Sequence, residues 1–172
     1  MKVCEIGPGP KPQAQMVWPD AELVTIDANP DANADYKIDA SVIPDELQGQ
    51  FDHVLASHVL EHFPWHQTVP VLKEWIKLLK RGGDLNIIVP SLEWAAREIL
   101  SEQPSPAVIP HLYAGVVNQW DVHVSGFTMR HLRTVMEAVG LRVDLARSAP
   151  YTIMAIGKPY QAEQHFIRGV LR

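Results

Sequence analysis

The sequence predicts an α/β fold, with helices on both faces of a mostly parallel sheet. Apolar segments of strand length alternate along the chain with segments of helical periodicity, as in folds built from parallel strands and crossover helices. The chain has 172 residues, 47% of them hydrophobic and 20% charged, which is enough for one self-sufficient core. The last two strand segments are joined by only four residues, too few for a parallel crossover, so we expect that pair to be antiparallel.

Seven strands are expected, and residues that favour turns separate them from the segments that follow. The first strand ends at Gly7-Pro8, the second ends at Asp27, and the fifth lies between Gly82-Gly83 and Pro90. The expected strands are 2–6, 22–26, 36–38, 51–56, 84–89, 142–146 and 151–156.

Two helices are indicated by apolar residues spaced three to four positions apart. The first covers 69–79 and is followed by basic residues and by Gly82, which suit a helix C-terminus with a glycine cap. The second covers 128–139, with Thr128 as its N-cap and Gly140 as its stop.

We interpret 1–172 as one domain that contains an insertion and ends in a tail. The stretch 91–127 is irregular, contains three prolines and several aromatic and histidine residues, and is expected to be an insertion that acts as a lid. An ordinary surface excursion is the alternative for this stretch. The segment 160–172 is expected to be a C-terminal tail, a short amphipathic helix that docks on the domain or on a second subunit.

Composition argues against several classes of protein. Lys and Arg number 15 against 20 Asp and Glu, a net charge of −5, which argues against nucleic-acid binding. The single cysteine, Cys4, excludes an internal disulfide framework and a zinc ribbon. No apolar run is long enough for a membrane span and the N-terminus is unlike a signal peptide, so we expect a cytoplasmic protein. A homo-oligomer is left open.

The first chemical signal is the turn Glu5-Ile6-Gly7-Pro8-Gly9 after the first strand. Glycines at such a turn let a ligand approach the backbone closely. Pro8, Pro10 and Pro12 remove amide donors that a diphosphate would need, and Pro12 stands where the dinucleotide fingerprint has its third glycine. The turn therefore favours a nucleoside ligand whose charged part is an amino acid.

Two carboxylates extend this signal. Asp27 follows the second strand, twenty residues after Gly7, where an acidic side chain can accept hydrogen bonds from both hydroxyls of a ribose. The alternative is that Asp27 only caps the turn before Asn29-Pro30. Asp39 follows the third strand and is expected near the rim of an adenine ring, with a solvated turn residue as the alternative.

Four segments in order resemble the motifs of class I S-adenosylmethionine-dependent methyltransferases, in particular the methyltransferase type 11 group. Segment 5–9 resembles motif I, and 24–27 resembles the acidic motif of strand two. Segment 51–64 resembles the strand-four motif, and 79–83 resembles the L-K-P-G-G element, with Arg81 in place of proline. Within the group, the chain is most similar to predicted methyltransferases of glycan or lipopolysaccharide gene clusters. The resemblance covers residues 1 to about 90 in register.

The resemblance implies a Rossmann-like three-layer sandwich that binds S-adenosyl-L-methionine. It also implies an enzyme that transfers a methyl group to a small-molecule or sugar acceptor, at an oxygen atom. The residues implied to bind the cofactor are Glu5, Gly7, Gly9, Asp27, Ala28, Asp39, Ala40, Ser57 and His58.

A hydroxyl acceptor also needs a general base, and histidine is the natural candidate because its ordinary pKa lies near neutrality. We expect His58, which follows the fourth strand, or His123, in the insertion, to take that role. His111, Tyr113 and Trp120 are expected to form the acceptor side of the lid.

Three other interpretations compete with an active methyltransferase. The prolines of motif I leave open a domain that binds the cofactor without turnover and serves as a binding or assembly module. A nicotinamide-dependent oxidoreductase shares Asp27 but lacks the third glycine. Segment 58–62 matches the inverted zinc-protease motif H-x-x-E-H, but Pro64 cuts any helix short and no other segment offers an obvious third ligand, so no metal is expected.

Overall fold

Seven strands form one sheet in the computed structural model of the protein, which describes residues 1–148 and 151–160. They are β1 (Lys2–Ile6), β2 (Glu22–Asp27), β3 (Tyr36–Lys37), β4 (Phe51–Ser57), β5 (Leu79–Pro90), β6 (Leu141–Ser148) and β7 (Thr152–Pro159). The strand order is β3-β2-β1-β4-β5-β7-β6. Strands β1 to β5 pair in parallel, and β7 is antiparallel to β5 and β6. The predicted α/β class and its antiparallel C-terminal strand are confirmed.

Five α-helices accompany these strands in the described part of the chain. They are α1 (Ala14–Val17), α2 (Thr68–Lys77), α3 (Leu92–Ile99), α4 (Val108–Tyr113) and α5 (Met129–Ala138). The hydroxyl of Thr128 accepts a hydrogen bond from the His131 amide at 3.1 Å, and Gly140 follows α5 with φ +87°. The predicted N-cap and stop of α5 are therefore confirmed.

The two faces of the sheet are covered unequally. Helices α2 and α5 pack on one face and enclose the main core, in which Trp75 and Met136 are fully buried. The other face carries a smaller cluster of Val3, Ala14 and Leu55. The short helix α1 therefore covers this face near β1 and β4. Among the described helices, none is long and apolar enough to cross a membrane.

The end of α2 differs from the prediction. The helix ends at Lys77, and β5 begins two residues later, where Leu79 pairs with Phe51. Gly82, predicted to cap the helix, lies inside β5 with φ +86°, near a shift of register between β4 and β5. Gly83 lies against the neighbouring backbone, because a Cβ there would be 2.9 Å from the Asp52 carbonyl oxygen. Strand pairing thus overrides the usual role of Gly-Gly as a strand breaker.

The stretch 91–127 is more regular than predicted, because it contains α3 and α4. Ser91 caps α3 by accepting a hydrogen bond from the Trp94 amide at 3.1 Å. Trp94 packs with Ala95 and Val108 in a small cluster of its own, which holds the two helices together. Of the predicted tail 160–172, everything after Tyr160 lies outside the described residues.

Candidate active site

The order of the strands creates a crevice at one edge of the sheet. From β1 the chain builds outward to β2 and β3 on one side, whereas β4 and β5 lie on the other side. Connections therefore leave the carboxyl ends of β1 and β4 in opposite directions, and ligands of open α/β sheets bind at such points. Gly7 follows β1, Asp27 ends β2 and His58 follows β4, so all three predicted site residues lie at this edge.

The glycine turn is closed toward β4 and open on its outer side. Gly7 has φ +64°, and a Cβ there would lie 2.5 Å from Cγ2 of Val59. Gly9 has φ +60°, and a Cβ there would meet no atom of the described residues within 4 Å. The Gly7 amide donates to the Ile26 carbonyl at 2.8 Å, which ties the turn to β2. The space beside Gly9 is therefore available to a ligand.

Glu5 holds this turn from within the protein. Its side chain is 1% exposed, and its two carboxylate oxygens accept hydrogen bonds from the Gln13 amide at 2.8 Å and the Ala14 amide at 2.9 Å. Burial raises the pKa of Glu5 above its usual value, and the two amide hydrogen bonds offset part of that rise. Both oxygens of Glu5 are used by the loop, which gives the residue a positioning role in the predicted cofactor site.

Asp27 serves the turn with one oxygen only. Its Oδ1 accepts a hydrogen bond from the Asn29 amide at 2.8 Å, as the turn-capping alternative requires. Its Oδ2 accepts no hydrogen bond from the described residues and remains available for a ribose. Because the side chain is half-buried at the end of β2, the two interpretations of Asp27 are compatible.

The residues after β3 differ in what they offer to a ligand. Asp39 is exposed, and its Oδ1 accepts a hydrogen bond from the Ser41 amide at 2.8 Å. Ala40 is only 5% exposed, lies in the main core, and accepts the indole N–H of Trp75 at 3.0 Å on its carbonyl. The Ala40 side chain therefore packs in the core, and a role of Ala40 in binding the cofactor stays a prediction, whereas Ala28, beside Asp27, is exposed.

Two residues bring unsatisfied polar atoms to the end of β4. Ser57 is 6% exposed, and its hydroxyl has no hydrogen-bond partner in the part of the chain that the structure describes. Glu61 is 1% exposed, and within the same described ranges neither carboxylate oxygen accepts a hydrogen bond. Buried polar atoms without partners are rare in folded proteins and indicate that a ligand, ion or water completes them.

Three histidines surround Glu61, and we call these four residues the Glu61 cluster: His58, Glu61, His62 and His123. The Nδ1 atom of His58 lies 3.4 Å from Oε1 of Glu61, and Nε2 of His123 lies 3.7 Å from the same oxygen. The rings of His62 and His123 meet edge to face, with centroids 4.9 Å apart. The H-x-x-E-H motif is the sequence signal for Glu61 and His62, which are not among the predicted site residues.

Backbone hydrogen bonds bring the insertion onto this cluster. The amides of Val124 and Ser125 both donate to the Glu61 carbonyl at 3.0 Å. Nδ1 of His62 donates to the Val122 carbonyl at 3.0 Å, since a carbonyl can only accept. His58 itself has φ +57°, an uncommon conformation for a residue other than glycine and one that occurs at functional sites.

His111, the other histidine of the insertion, links the insertion to the end of β5. Nδ1 of His123 donates to the His111 carbonyl at 3.0 Å, and Nε2 of His111 donates to the Ser91 carbonyl at 3.0 Å. Burial lowers the pKa of His111 and of His123 below the usual value for histidine. His111 therefore anchors the insertion to the end of β5, and its place on the acceptor side of the lid stays a prediction.

The two aromatic residues predicted for the lid are at the surface. Tyr113 ends α4 and is 58% exposed, and Trp120 is 38% exposed in the loop that follows. The Tyr113 carbonyl accepts the His123 amide at 3.5 Å, so this loop continues directly into the Glu61 cluster. Both rings are accessible to a bound molecule.

A sequence model of the family described as a methyltransferase domain matches residues 1–146. A comparison with curated protein sequences finds no match. Comparison with solved structures finds the same fold in several methyltransferases, at low sequence identity.

Three solved structures illustrate this similarity. The 1,6-didemethyltoxoflavin-N1-methyltransferase of Burkholderia thailandensis, solved with S-adenosylhomocysteine, aligns with a TM-score of 0.66 and 13% identity over 93% of this chain and 71% of its own. A methyltransferase of Haloferax volcanii, in complex with the Trm112 activator, aligns at 0.65 with 14% identity over 92% and 83%. A SAM-dependent methyltransferase of Aquifex aeolicus aligns at 0.61 with 14% identity over 91% and 81%.

Proposed function

The chain belongs to the methyltransferase-domain family and is a class I S-adenosylmethionine-dependent methyltransferase, and we propose that it methylates an oxygen atom of a small-molecule acceptor, with sugars as the candidate class. The observation that carries the proposal is the exposed ring of His58 at the end of β4, with the buried Glu61 carboxylate 3.4 Å behind it. That pair lies at the edge of the sheet where Gly9 and Asp27 leave room for the cofactor.

The residues at this edge fit the cofactor. Gly9 has open space on its outer side, Oδ2 of Asp27 is available for ribose hydroxyls, and the Ser57 hydroxyl is buried without a partner among the described residues. We assign the glycine turn and Asp27 to the nucleoside, with Ala28 and Asp39 toward the adenine. Ser57 and His58 are assigned to the methionine end. When bound, S-adenosylmethionine would supply a methyl group on a positively charged sulfur, and this sulfur leaves as a neutral thioether when a nucleophile attacks the methyl carbon in line.

His58 is proposed as the general base for the acceptor hydroxyl. Its side chain is 43% exposed, so an acceptor can reach it, while its Nδ1 faces Glu61. The Glu61 carboxylate, 3.4 Å from Nδ1, is placed to orient the ring, as the third group of a catalytic triad orients its base. His123, the other candidate, is 10% exposed and turns its free nitrogen toward Glu61, which makes it less accessible to an acceptor. General bases contribute about 10²–10⁴-fold to rates.

The insertion is proposed to hold the acceptor. Tyr113 and Trp120 present accessible rings, and aromatic faces stack on apolar faces of small molecules while their polar atoms form hydrogen bonds. Such surfaces suit a sugar, which has apolar C–H faces and many hydroxyl groups. The cytoplasmic location and a homo-oligomeric state stay predictions.

A thermal-shift experiment tests the cofactor assignment. S-adenosylhomocysteine at a hundredfold excess over its dissociation constant is expected to stabilise the protein by about 2.7 kcal/mol. For a chain of this size that corresponds to a rise in Tm of about 5–11 °C. An equal rise with NAD would instead favour an oxidoreductase.

A transfer assay with labelled S-adenosylmethionine and a panel of hydroxyl, amine and thiol compounds tests the acceptor class. We expect transfer to hydroxyl compounds, lowered about 10²–10⁴-fold in His58→Gln. The affinity for S-adenosylhomocysteine is measured on the same variant, so that loss of binding is separated from loss of the base. His66→Gln, an exposed histidine at the Trp65–Gln67 turn, is the control. Binding of the cofactor product without transfer to any compound would favour a non-catalytic binding module.

A further inference from the structure

We propose that Glu61, His62 and His123 bind one divalent transition-metal ion. A carboxylate oxygen of Glu61 and one ring nitrogen of each histidine lie within 4.8 Å of one another. His123 comes from the insertion, so the structure supplies the third ligand that the sequence around the H-x-x-E-H motif does not offer. The cluster is held in place by the two backbone hydrogen bonds to the Glu61 carbonyl.

One ring nitrogen of each histidine is already held by a backbone carbonyl. Nδ1 of His62 donates to the Val122 carbonyl and Nδ1 of His123 donates to the His111 carbonyl, each at 3.0 Å. The Nε2 atom of each neutral ring therefore carries a lone pair. Histidines that bind metals typically donate their second ring nitrogen to a backbone carbonyl in this way, which fixes the tautomer and the direction of the free nitrogen.

The burial of Glu61 is the second, independent observation. The side chain is 1% exposed, yet neither of its oxygens accepts a hydrogen bond from the described residues. The nearest nitrogens, on His58 and His123, are at charge-contact distances of 3.4 and 3.7 Å. A buried carboxylate without partners is costly, and coordination to a cation removes that cost.

The donor set selects the class of ion. Two imidazoles and one carboxylate suit Zn²⁺, Co²⁺ and Fe²⁺, whereas Mg²⁺ and Ca²⁺ prefer sites made mainly of oxygen. Ligand atoms of a tetrahedral zinc site are about 3.3 Å apart at bonds of 2.0–2.1 Å. The 3.7 Å between Oε1 of Glu61 and Nε2 of His123 is close to that spacing. The full set spans up to 4.8 Å, so at least one side chain must move before all three atoms reach one ion.

Three protein ligands leave at least one coordination position open. An acceptor hydroxyl bound there would lose its proton more readily, since a bound cation lowers the pKa of an oxygen that coordinates it. This role of the ion rests on the proposed function, whereas binding of the ion does not.

Titration of the metal-free protein with Zn²⁺ and with Co²⁺ tests the site. The protein is treated with a chelator, dialysed, and titrated by calorimetry without any cofactor. We expect one ion per chain, a Co²⁺ absorption spectrum typical of four- or five-fold coordination with nitrogen ligands, and a rise in Tm of about 5–11 °C at a hundredfold excess of Zn²⁺ over its dissociation constant.

Glu61→Gln is the main variant, because it preserves shape and removes the charge. We expect metal affinity to fall by at least about 100-fold, since even indirect partners of metal ligands change affinity about 10–100-fold. The metal-free variant should melt at the same temperature as the parent or higher, because a buried charge without hydrogen bonds is removed. His123→Asn should lose metal binding too, and His66→Asn should retain it.

Two outcomes would overturn the site: no stoichiometric binding to the parent protein, or equal binding by Glu61→Gln and the parent. Binding of S-adenosylhomocysteine is measured on the same samples. If that binding persists while metal binding is absent, the metal site fails and the proposed function stands. If metal binds and S-adenosylhomocysteine does not, the metal site stands and the proposed function fails.

Discussion

Replacing Asp27 tests whether the carboxylate at the end of β2 binds the ribose of the cofactor. Its two oxygens have separate tasks, because Oδ1 accepts the Asn29 amide at 2.8 Å and Oδ2 is available. Asp27→Asn keeps an oxygen for the turn and replaces the charged acceptor by an amide. Asp27→Ala removes both functions. The pair of variants therefore separates the turn from the ribose.

The expected magnitudes follow from these contacts. Hydrogen bonds to a charged group contribute about 1.5–3 kcal/mol. Since about 1.4 kcal/mol corresponds to a tenfold change in dissociation constant, Asp27→Asn should weaken the binding of S-adenosylhomocysteine by about ten- to a hundredfold. Its Tm should stay within about 2 °C of the parent, since the turn keeps its acceptor. Asp27→Ala should bind more weakly still and should melt a few degrees lower, because the Asn29 amide loses its partner.

Isothermal titration calorimetry with S-adenosylhomocysteine, well below the melting midpoints, is the assay. Asp20→Asn is the matched control, because it makes the same change of charge just before the opposite end of the same strand. It should bind like the parent. If Asp27→Asn binds with unchanged affinity while Asp27→Ala melts early, Asp27 caps the turn only, and the ribose assignment is refuted.

Three further predictions concern the loop, the insertion and the core. Glu5→Gln keeps one acceptor oxygen and places an amide N–H₂ opposite one of the two backbone donors, so it should lower stability by about 1–3 kcal/mol and weaken binding of the cofactor product. Denaturant melts and calorimetry would show this, and parent-like behaviour in both would contradict the positioning role. Combined replacement of Tyr113 and Trp120 by alanine should abolish methyl transfer and leave cofactor affinity unchanged, whereas a loss of affinity would mean that the insertion covers the cofactor. Burial raises the pKa of Cys4 to about 12, so in the folded protein at pH 8 only about one thiol in ten thousand is ionised. Iodoacetamide should therefore modify Cys4 only after unfolding, as mass spectrometry can check, and rapid labelling of the native protein would contradict this.

Much of the sheet follows from local patterns in the chain. The bounds of β1, β2 and β4 agree with prediction to within one residue, because short apolar runs and the turn residues after each strand are both visible in sequence. The antiparallel end of the sheet follows from the length of a single connection. The start of β5 does not follow from local patterns, since Gly82 and Gly83 usually break strands and only pairing with β4 keeps them in this one.

The cofactor edge was also predictable. Once the strands are parallel and the order of the motifs is known, Gly7, Asp27 and His58 must reach the same edge, because each follows the carboxyl end of its strand. The roles of individual residues near this edge were less visible in the sequence. That Glu5 holds the loop and that Ala40 belongs to the core depend on where their polar atoms find partners, which the periodicity of a sequence does not show.

That His123 joins the Glu61 cluster was decided by tertiary structure alone. His62 and His123 are sixty-one positions apart, and nothing in the local sequence pairs them. They meet because the Val124 and Ser125 amides bind the Glu61 carbonyl and the His62 ring binds the Val122 carbonyl. A short motif can carry ligands, but the position of the last ligand is decided by non-local backbone hydrogen bonds, whose partners depend on how the whole chain packs.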